Sequence, residues 1–165
     1  MAELTNLESK LGEVVGLALA ATEATQKVAK LAKDDGNDEL VGELERMQEE
    51  ARETADRGTE VAGTFEGKKT AILDEARDTK SKAKEMMTTY LDQASDALDG
   101  FEFLTMAEAG EVGHWEILGT LNKRAAKSEV QELVDWATPI QQRHFDTVKK
   151  TSLQLAAEED PNETS

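Results

Sequence analysis

Residues 104–125 read LTMAEAGEVGHWEILGTLNKRA. Apolar side chains recur in this stretch at alternating spacings of three and four residues, which predicts an amphipathic helix. Glu111 and His114 fall on the same stripe, so we expect both side chains to face the protein interior. Burying a carboxylate without a partner costs free energy, so we expect a histidine, a metal or an arginine beside Glu111. The stretch therefore predicts a core helix that carries a polar site.

The chain's two histidines are His114 and His144, and each follows a potential ligand by three residues. The pairs are Glu111 with His114 and Gln141 with His144, and side chains at that spacing share one face of a helix. A second periodic stretch surrounds His144, and Gln141 lies at the edge of its stripe. The stripe consists of Val130, Leu133, Ala137, Ile140, His144 and Val148. Both histidines can therefore face the same interior.

The composition predicts an all-α fold. The chain has two prolines and four phenylalanines, and its long runs are rich in Ala, Leu, Glu, Lys and Gln. Turn residues at 34–37 and glycines at 63 and 67 interrupt the helical periodicity. The first predicted helix covers residues 2–33, and the second follows a cap at Asn37 or Asp38, has a stripe from Leu40 to Phe65 and ends at Gly63 and Gly67. The third runs from Ala94 or Phe101 to Ala126, and the fourth covers residues 128–157.

Residues 67–95 separate the second predicted helix from the third, and their apolar stripe is thin. We interpret this segment as a crossover that contains one or two short helices. Short turns on either side of it give two antiparallel hairpins, a connectivity similar to that of ferritin-like bundles. The sequence therefore predicts a ferritin-like four-helix bundle as a single domain over residues 1–157. An acidic tail over residues 158–165 is expected to be disordered.

Residues 52–99 also permit another interpretation. Their Ala, Lys, Thr, Glu and Asp in loose helical spacing resemble protectant helices that fold on lipid surfaces. Such segments have a weak core face and are often unfolded alone. The well-patterned helices on both sides favour a solvated connection across a bundle. An amphipathic protectant protein stays as an alternative.

Charge and residue content restrict the classes of function. The 35 acidic and 19 basic residues give a formal net charge of −16, which repels phosphate backbones and anionic lipids. We therefore expect neither nucleic acid nor a membrane as a partner. The chain has no cysteine, contains no apolar run long enough to span a bilayer, and starts without the basic and apolar segments of a leader. We expect a cytoplasmic protein.

A ferritin-like two-metal site needs one glutamate from each of two helices and a Glu-x-x-His motif from each of the other two. Here the first two helices carry small or apolar residues midway along, and Gln141 brings no charge to offset a divalent cation. Three interpretations stay open: a complete iron or manganese pair, a single metal held by Glu111, His114 and His144, or no metal. We favour the third, in which Glu111, His114, Gln141 and His144 satisfy one another by hydrogen bonds.

Several stretches carry a resemblance to a known family. Residues 40–57 read LVGELERMQEEARETADR, and DAL at 96–98 is followed by HWEI at 114–117 and GTL at 119–121. Together these stretches resemble the bacterial YciE/YciF type of ferritin-like stress protein, and the similarity extends loosely over residues 11–155. The resemblance implies a four-helix ferritin-like fold with a crossover, frequent dimerisation and an association with stress responses.

The resemblance also implies metal contacts at Glu49 and at Glu116 or His114. Trp115 stands where the family usually has tyrosine, and the glutamate of the first helix is missing. Glu116 cannot share a helix face with His114, because two residues turn the side chain by about 200°. The periodicity indicates Glu111 as the interior acid and the resemblance indicates Glu116, so both stay candidates.

Large aromatic residues indicate contacts with another protein. Trp115, Trp136 and Phe145 are candidate anchors of an interface, and a helix pair that exposes them predicts a homo-oligomer or a protein partner. The sequence holds no phosphate-binding loop, Ser/His/Asp arrangement or dinucleotide fingerprint. Metal-dependent oxygen or peroxide chemistry is the enzyme class that fits. We expect instead a stress-associated bundle protein that acts through interaction or assembly.

Overall fold

The computed structural model describes residues 2–93 and 95–164. These residues form five α-helices and no strand, which confirms the prediction of an all-α chain. The helices are α1 (Asn6–Asp34), α2 (Asp38–Ala62), α3 (Lys69–Tyr90), α4 (Ala97–Ala125) and α5 (Ser128–Glu158). Of the two predicted starts of α4, Ala94 lies outside the described residues and Phe101 lies inside the helix. No helix in the described part of the chain is long and apolar enough to cross a membrane.

Helix α1 begins at Asn6, later than predicted, because Thr5 caps it. Thr5 Oγ1 accepts a hydrogen bond from the Glu8 backbone N–H at 3.2 Å, and the Glu8 carboxylate accepts one from the Thr5 N–H at 2.8 Å. This reciprocal capping box satisfies backbone N–H groups that a helix start leaves unpaired. At the other end, Gly36 has a φ of +78° in the turn that follows Asp34. Glycine adopts this left-handed conformation without steric cost.

A reciprocal capping box also begins helix α4. Asp96 and Asp99 exchange hydrogen bonds between side chain and backbone N–H at 2.9 and 3.0 Å. The N–H of the first helical residue donates to Asp35 Oδ2 at 2.8 Å, which fixes the start of α4 beside the end of α1. Farther along α4, His114 Nδ1 lies 3.2 Å from Lys10 Nζ near the start of α1. The two helices therefore run antiparallel.

Helix α1 is central and packs against α2, α3 and α4. Spacings of three and four residues predict one apolar stripe on α1, and the structure buries its members Leu7, Leu11, Val14, Ala18, Ala21, Thr25, Val28 and Ala32. Ion pairs relate it to α3: Glu8 lies 3.7 Å from Lys68, and Glu23 lies 2.9 Å from Lys80. The residue numbers of α1 and of its partners toward α3 increase together from the first pair to the second, so α1 and α3 run parallel.

Helix α5 packs against α4 and α2. The Arg57 guanidinium of α2 lies 4.1 Å from the centre of the Trp136 ring. Glu50 of α2, seven residues before Arg57, contacts Arg143 of α5, seven residues after Trp136. Residue numbers thus decrease along α2 as they increase along α5, so the two helices run antiparallel.

The crossover is one continuous helix, α3, which corrects the prediction of one or two short helices over residues 67–95. Gly12 and Gly16 of α1 let the backbone of α3 approach closely. A Cβ at Gly12 would lie 2.7 Å from the carbonyl oxygen of Ile72, and one at Gly16 would lie 2.4 Å from that of Ala76. Ile72 and Ala76 are the buried residues of α3. The contact therefore depends on small residues of α1 rather than on a strong apolar stripe in α3.

Two apolar clusters fill the core, and polar side chains lie between them. The first cluster contains the early part of α1, the second half of α4 and the start of α5, and it includes Leu11 and Trp115. The second contains the opposite ends of the same helices and includes Val28 and Phe101. Between them, α4 and α5 contribute a set that we call the polar layer: Glu108, Glu111, Gln141 and His144.

Helix α5 ends at Glu158, one residue beyond the predicted end. Residues 159–164 follow it and are exposed. The final residue of the predicted acidic tail, Ser165, lies outside the described residues, and the disorder of this tail stays a prediction.

Candidate functional site

The polar layer lies midway along α4 and α5. Glu108 and Glu111 stand three residues apart on α4, and Gln141 and His144 stand three residues apart on α5, so the members of each pair lie on one side of their helix. Glu108 is 1% exposed, Glu111 5%, Gln141 5% and His144 4%. The structure therefore buries three of the predicted site residues together with Glu108, which the sequence analysis did not select.

Hydrogen bonding links α5 to α4 through Glu108. Gln141 Nε2 donates to Glu108 Oε2, and His144 Nδ1 lies 3.9 Å from the same oxygen. The other imidazole nitrogen of His144, Nε2, lies 3.4 Å from Glu50 Oε1 of α2. The imidazole thus stands between carboxyl groups from two different helices.

Glu50 is the acid that α2 contributes. Its side chain is 20% exposed; Arg143 donates to Oε2, and Arg46 Nε lies 3.5 Å from Oε1. The neighbouring Glu49, which the resemblance selects, is exposed. A signal for Glu50 was present in the sequence, since it follows the buried Met47 by three residues on the stripe of α2.

The two carboxyl groups of the layer favour their neutral forms. Burial raises the pKa of Glu108 to about 8, although the hydrogen bond from Gln141 acts in the opposite direction. Burial also raises the pKa of Glu111 well above its ordinary value, and the nearby Glu108 raises it further. Both shifts favour the protonated form over that of an exposed glutamate.

Burial lowers the pKa of the His144 imidazole, whereas it raises the pKa values of the two glutamates. Glu50 raises the pKa of His144, and Arg143 and Arg46 lower it. A lowered pKa favours the neutral ring at pH 7. The layer thus combines carboxyl groups and an imidazole whose pKa shifts favour their neutral forms, with an ion pair, Glu50 with Arg143, at its edge.

Glu111 differs from the other members because its carboxyl group makes no hydrogen bond or ion pair with any described residue. Instead it lines a cavity of about 200 Å³ between α1, α3 and α4. Glu108 lines the same cavity from the adjacent turn of α4. The remaining lining is mainly apolar and includes Leu17, Ala20, Ala24, Met87, Phe103 and Leu104.

His114 lies at the rim of this cavity rather than in the polar layer. Its side chain is 36% exposed, and Nδ1 lies 3.2 Å from Lys10 Nζ and 3.3 Å from Glu13 Oε2. Burial and then Lys10 lower the pKa of its imidazole, and Glu13 raises it. Three residues turn a helix by about 300°, so His114 lies about 60° around α4 from Glu111. That rotation separates it from the fully buried face.

The structure gives the predicted metal ligands different neighbours. His114 contacts α1, His144 contacts Glu50 and Glu108, and Glu111 faces the cavity. Within residues 2–93 and 95–164, no three His, Asp or Glu side chains form a group that could hold a metal ion. Binding of iron or manganese stays a prediction.

No protein-family model, curated protein or solved structure matches this chain. The resemblance to YciE/YciF proteins therefore stays a prediction, and the site has to be interpreted from its own geometry.

The choice between Glu111 and Glu116 has a clear structural answer. Glu111 is buried, whereas Glu116 is exposed on the opposite side of α4. The periodicity of the helix, rather than the resemblance, identified the interior acid. Sequence reasoning could also have found Glu108, since it follows the buried Leu104 by four residues and precedes Glu111 by three.

The aromatic residues predicted at an interface have separate environments. Trp115 is 1% exposed and packs in the first apolar cluster, so its ring is not available to another protein. Trp136 is half-buried beneath Arg57, and Phe145 is half-buried with Lys149 5.1 Å from its ring centre. Trp136 and Phe145 remain candidates for an interface.

Proposed function

We propose that this chain is a ferritin-like helical scaffold in which a metal-free polar layer replaces the two-metal site, and that it acts by binding rather than by catalysis. The observation that carries the proposal is the hydrogen bond from Gln141 to Glu108, with His144 beside the same carboxyl oxygen. An amide stands here where a ferritin-like site would need a second acidic ligand. The stress association and the cytoplasmic location are proposed from the sequence alone.

The directions of the helices support a ferritin-like connectivity. The α1–α2 and α4–α5 hairpins are joined by α3, and α1 contacts α2 and α4 while α5 contacts α2 and α4. Ferritin-like bundles are two such hairpins joined by one long crossover. In this interpretation α3 is the crossover, and it packs on the outer side of α1.

The protonation of the layer supports the metal-free interpretation. Metal ligands bind in their deprotonated forms, and the raised pKa values of Glu108 and Glu111 work against those forms at neutral pH. Both nitrogens of His144 already face carboxyl oxygens. Glu108, Gln141, His144 and Glu50 contact one another without a cation, whereas Glu111 faces the cavity.

Metal analysis of the purified protein, combined with thermal unfolding in added iron(II) or manganese(II), tests the proposal. We expect no whole-number metal content and no shift of the melting temperature at micromolar metal. The variant His144→Ala should unfold at a lower temperature, because it removes a buried side chain that lies between Glu108 and Glu50 and leaves a cavity there. Whole-number binding that is lost in His144→Ala or Glu108→Gln would instead support metal-dependent oxygen or peroxide chemistry.

A further inference from the structure

We propose that the cavity between α1, α3 and α4 is a binding site for a small amphiphilic cation, an ammonium group on a compact apolar body. Glu111 and Glu108 would hold the ammonium group, and the apolar lining would hold the body. This inference goes beyond the scaffold function and does not depend on it.

The size and lining of the cavity suit the apolar body. Its volume is about 200 Å³, and an apolar cavity of roughly 150 Å³ is enough to take up benzene. Side chains from all three helices contribute apolar surface, with Leu17 from α1, Met87 from α3 and Phe103 from α4. A ligand the size of a substituted benzene ring would fill the space and bury its surface.

The unpartnered carboxyl group of Glu111 suits the charged group. It is 95% buried, lines the cavity, and makes no hydrogen bond or ion pair with any described residue. Its oxygens are not among the fully enclosed atoms that lack a partner, so they reach the open space of the cavity, where a ligand can contact them. A ligand with several N–H donors would supply that partner, and Glu108 lies close enough to affect the ionisation of Glu111.

The charged groups around the cavity favour a cation over an anion. On α1, Glu23 lines the mouth and pairs with Lys80 and Lys84 of α3, so these charges largely offset one another. On α4, His114 lines the rim beside the Lys10–Glu13 pair. Behind Glu108, α5 contributes the neutral Gln141 and His144, and Glu50 of α2 is paired with Arg143. The carboxyl groups of Glu108 and Glu111 are therefore the groups at the floor of the cavity that lack a cationic partner.

The C-terminal half of α3 provides access to the cavity. No residue from 77 to 90 is buried, and Met86 is 51% exposed. On the facing helix, Met106 is 39% exposed. Flexible methionine side chains at the mouth can adapt to ligands of different shape. A segment with few buried contacts also opens at low energetic cost.

Binding of the cation has a defined proton balance. The O–H bond of the Glu111 carboxyl group breaks, its proton passes to the buffer, and the ammonium group donates hydrogen bonds to the carboxylate that remains. No covalent bond forms between ligand and protein. Because one proton is released, the affinity for the cation should rise with pH below the pKa of the buried carboxyl group.

Calorimetric titration with three isosteric probes tests the site on the full chain. The probes are phenylbutylamine, phenylbutanol and phenylbutyrate, which share a phenyl ring on a four-carbon chain and differ in the polar end of that chain. We expect phenylbutylamine to bind about tenfold or more tightly than either of the others. Its affinity should be higher at pH 8 than at pH 6, and buffers of different ionisation enthalpy should report proton release.

Three variants link the binding to the cavity. Glu111→Gln should weaken phenylbutylamine binding by about tenfold or more, and Ala20→Leu, which fills part of the cavity, should weaken binding of all probes. Glu116→Gln, a matched change of an exposed acid on the same helix, should bind like the wild-type protein. Circular dichroism identifies any variant that is not folded.

The opposite results would overturn the proposal. Equal binding of phenylbutanol and phenylbutylamine, with no effect of Glu111→Gln, would indicate an apolar cavity without cation selectivity. Tightest binding of phenylbutyrate would indicate an anion site. No binding of phenylbutylamine to folded wild-type protein at either pH would show that this cavity does not take such cations. If Glu111→Gln does not fold, binding of the amine that persists unchanged in Ala20→Leu would place it elsewhere.

Discussion

Gln141 and Glu108 meet between α5 and α4, where the amide Nε2 donates a hydrogen bond to the carboxyl Oε2. Both side chains are at least 95% buried, so this hydrogen bond is shielded from water. His144 lies beside the same oxygen and connects the pair to Glu50 of α2. Polar contacts among side chains of α2, α4 and α5 therefore connect these three helices in the middle of the protein.

Replacing the amide with an acid should create a metal requirement. Gln141→Glu converts Gln-x-x-His into Glu-x-x-His and places a third buried carboxyl group beside Glu108. Without metal, we expect the variant to lose about 1–3 kcal/mol of unfolding free energy, because the hydrogen bond is lost and the acids repel one another. With manganese(II), its melting temperature should rise. Thermal unfolding with and without the metal measures both effects.

Gln142→Glu is the matched control, since Gln142 is the next residue of α5 and is exposed. It should show little loss of stability and no response to manganese(II). An equal response of the two variants would contradict the role assigned to Gln141.

The stability of the protein should fall as pH rises from about 4.5 to about 8. Unfolded glutamates ionise near 4.5, whereas burial raises the pKa of Glu108 to about 8 and that of Glu111 well above its ordinary value. In this range the unfolded state releases a proton that Glu108 keeps in the folded state, so Glu108 lowers stability by up to about 1.4 kcal/mol per pH unit. The raised pKa of Glu111 acts in the same direction. Below about 4.5 both states are protonated, and this dependence disappears. Urea unfolding across this range measures the slope.

Charge repulsion in this acidic chain also makes the unfolding free energy depend on pH, and two variants distinguish that effect from the effect of the buried acids. Glu111→Gln should reduce the slope, whereas Glu116→Gln, which removes an exposed charge, should retain it. His144 contributes in the opposite sense: burial lowers its pKa, so stability is lost as pH falls below about 6.5 and the unfolded imidazole takes up a proton. Identical slopes in the Glu111 and Glu116 variants would argue against buried neutral acids.

The contact between α1 and α3 should be sensitive to a single methyl group. Gly12→Ala and Gly16→Ala each place a Cβ within 2.7 Å of an α3 carbonyl oxygen. We expect each to cost about 1–3 kcal/mol, because α3 must move away from α1. Chemical unfolding measures the loss, and hydrogen exchange should show faster exchange in residues 69–90.

Gly113→Ala is the matched control for these changes, because its Cβ would have no neighbour within 4 Å. It should raise stability by about 0.5–1 kcal/mol through helix propensity alone. A loss of stability at Gly113 as large as that at Gly12 and Gly16 would show that close packing is not the cause.

The end of α4 offers a site for stabilisation. Ala126 has a φ of +53°, a left-handed conformation that glycine adopts without the steric cost of a Cβ. Ala126→Gly should raise the unfolding free energy by about 0.5–1 kcal/mol. Ala109→Gly, at an exposed position inside the same helix, should lower it by about 1 kcal/mol. Urea unfolding of the two variants checks the opposite signs.

We expect the protein to self-associate. Trp136 and Phe145 are half-buried on α5, and the chain mass is 18.1 kDa. Light scattering at micromolar concentration should give a mass of a dimer or larger assembly, and Phe145→Ala should shift the equilibrium toward the monomer. A mass near that of one chain at all concentrations would rule out this proposal.

Much of the local structure follows from the sequence. The apolar stripe of α1 predicted its buried residues, and the same periodicity on α4 distinguished the buried Glu111 from the exposed Glu116. Turn residues at 34–37 predicted the first hairpin. These features depend on the chemistry of neighbouring residues in the chain, so a single sequence is enough to reveal them.

The partners of the polar residues were not predictable in the same way. Periodicity indicates which side of a helix is apolar, but it does not say which residues of other helices lie at the same height. Glu108 rather than Glu111 meets Gln141, and Glu50 rather than Glu49 meets His144. A change of one residue moves a side chain by about 1.5 Å along the axis and about 100° around it, which is enough to exchange partners.

The sequence by itself determined the all-helical fold class, the core faces of the well-patterned helices and the presence of buried acids and histidine on α4 and α5. Only the tertiary structure decided that α3 packs along Gly12 and Gly16, that His114 lies at a rim, and that Glu111 faces a cavity. The physical reason is that helix formation and amphipathicity depend on local spacing. The neighbours of a side chain depend instead on how whole helices rotate and slide to fill the core.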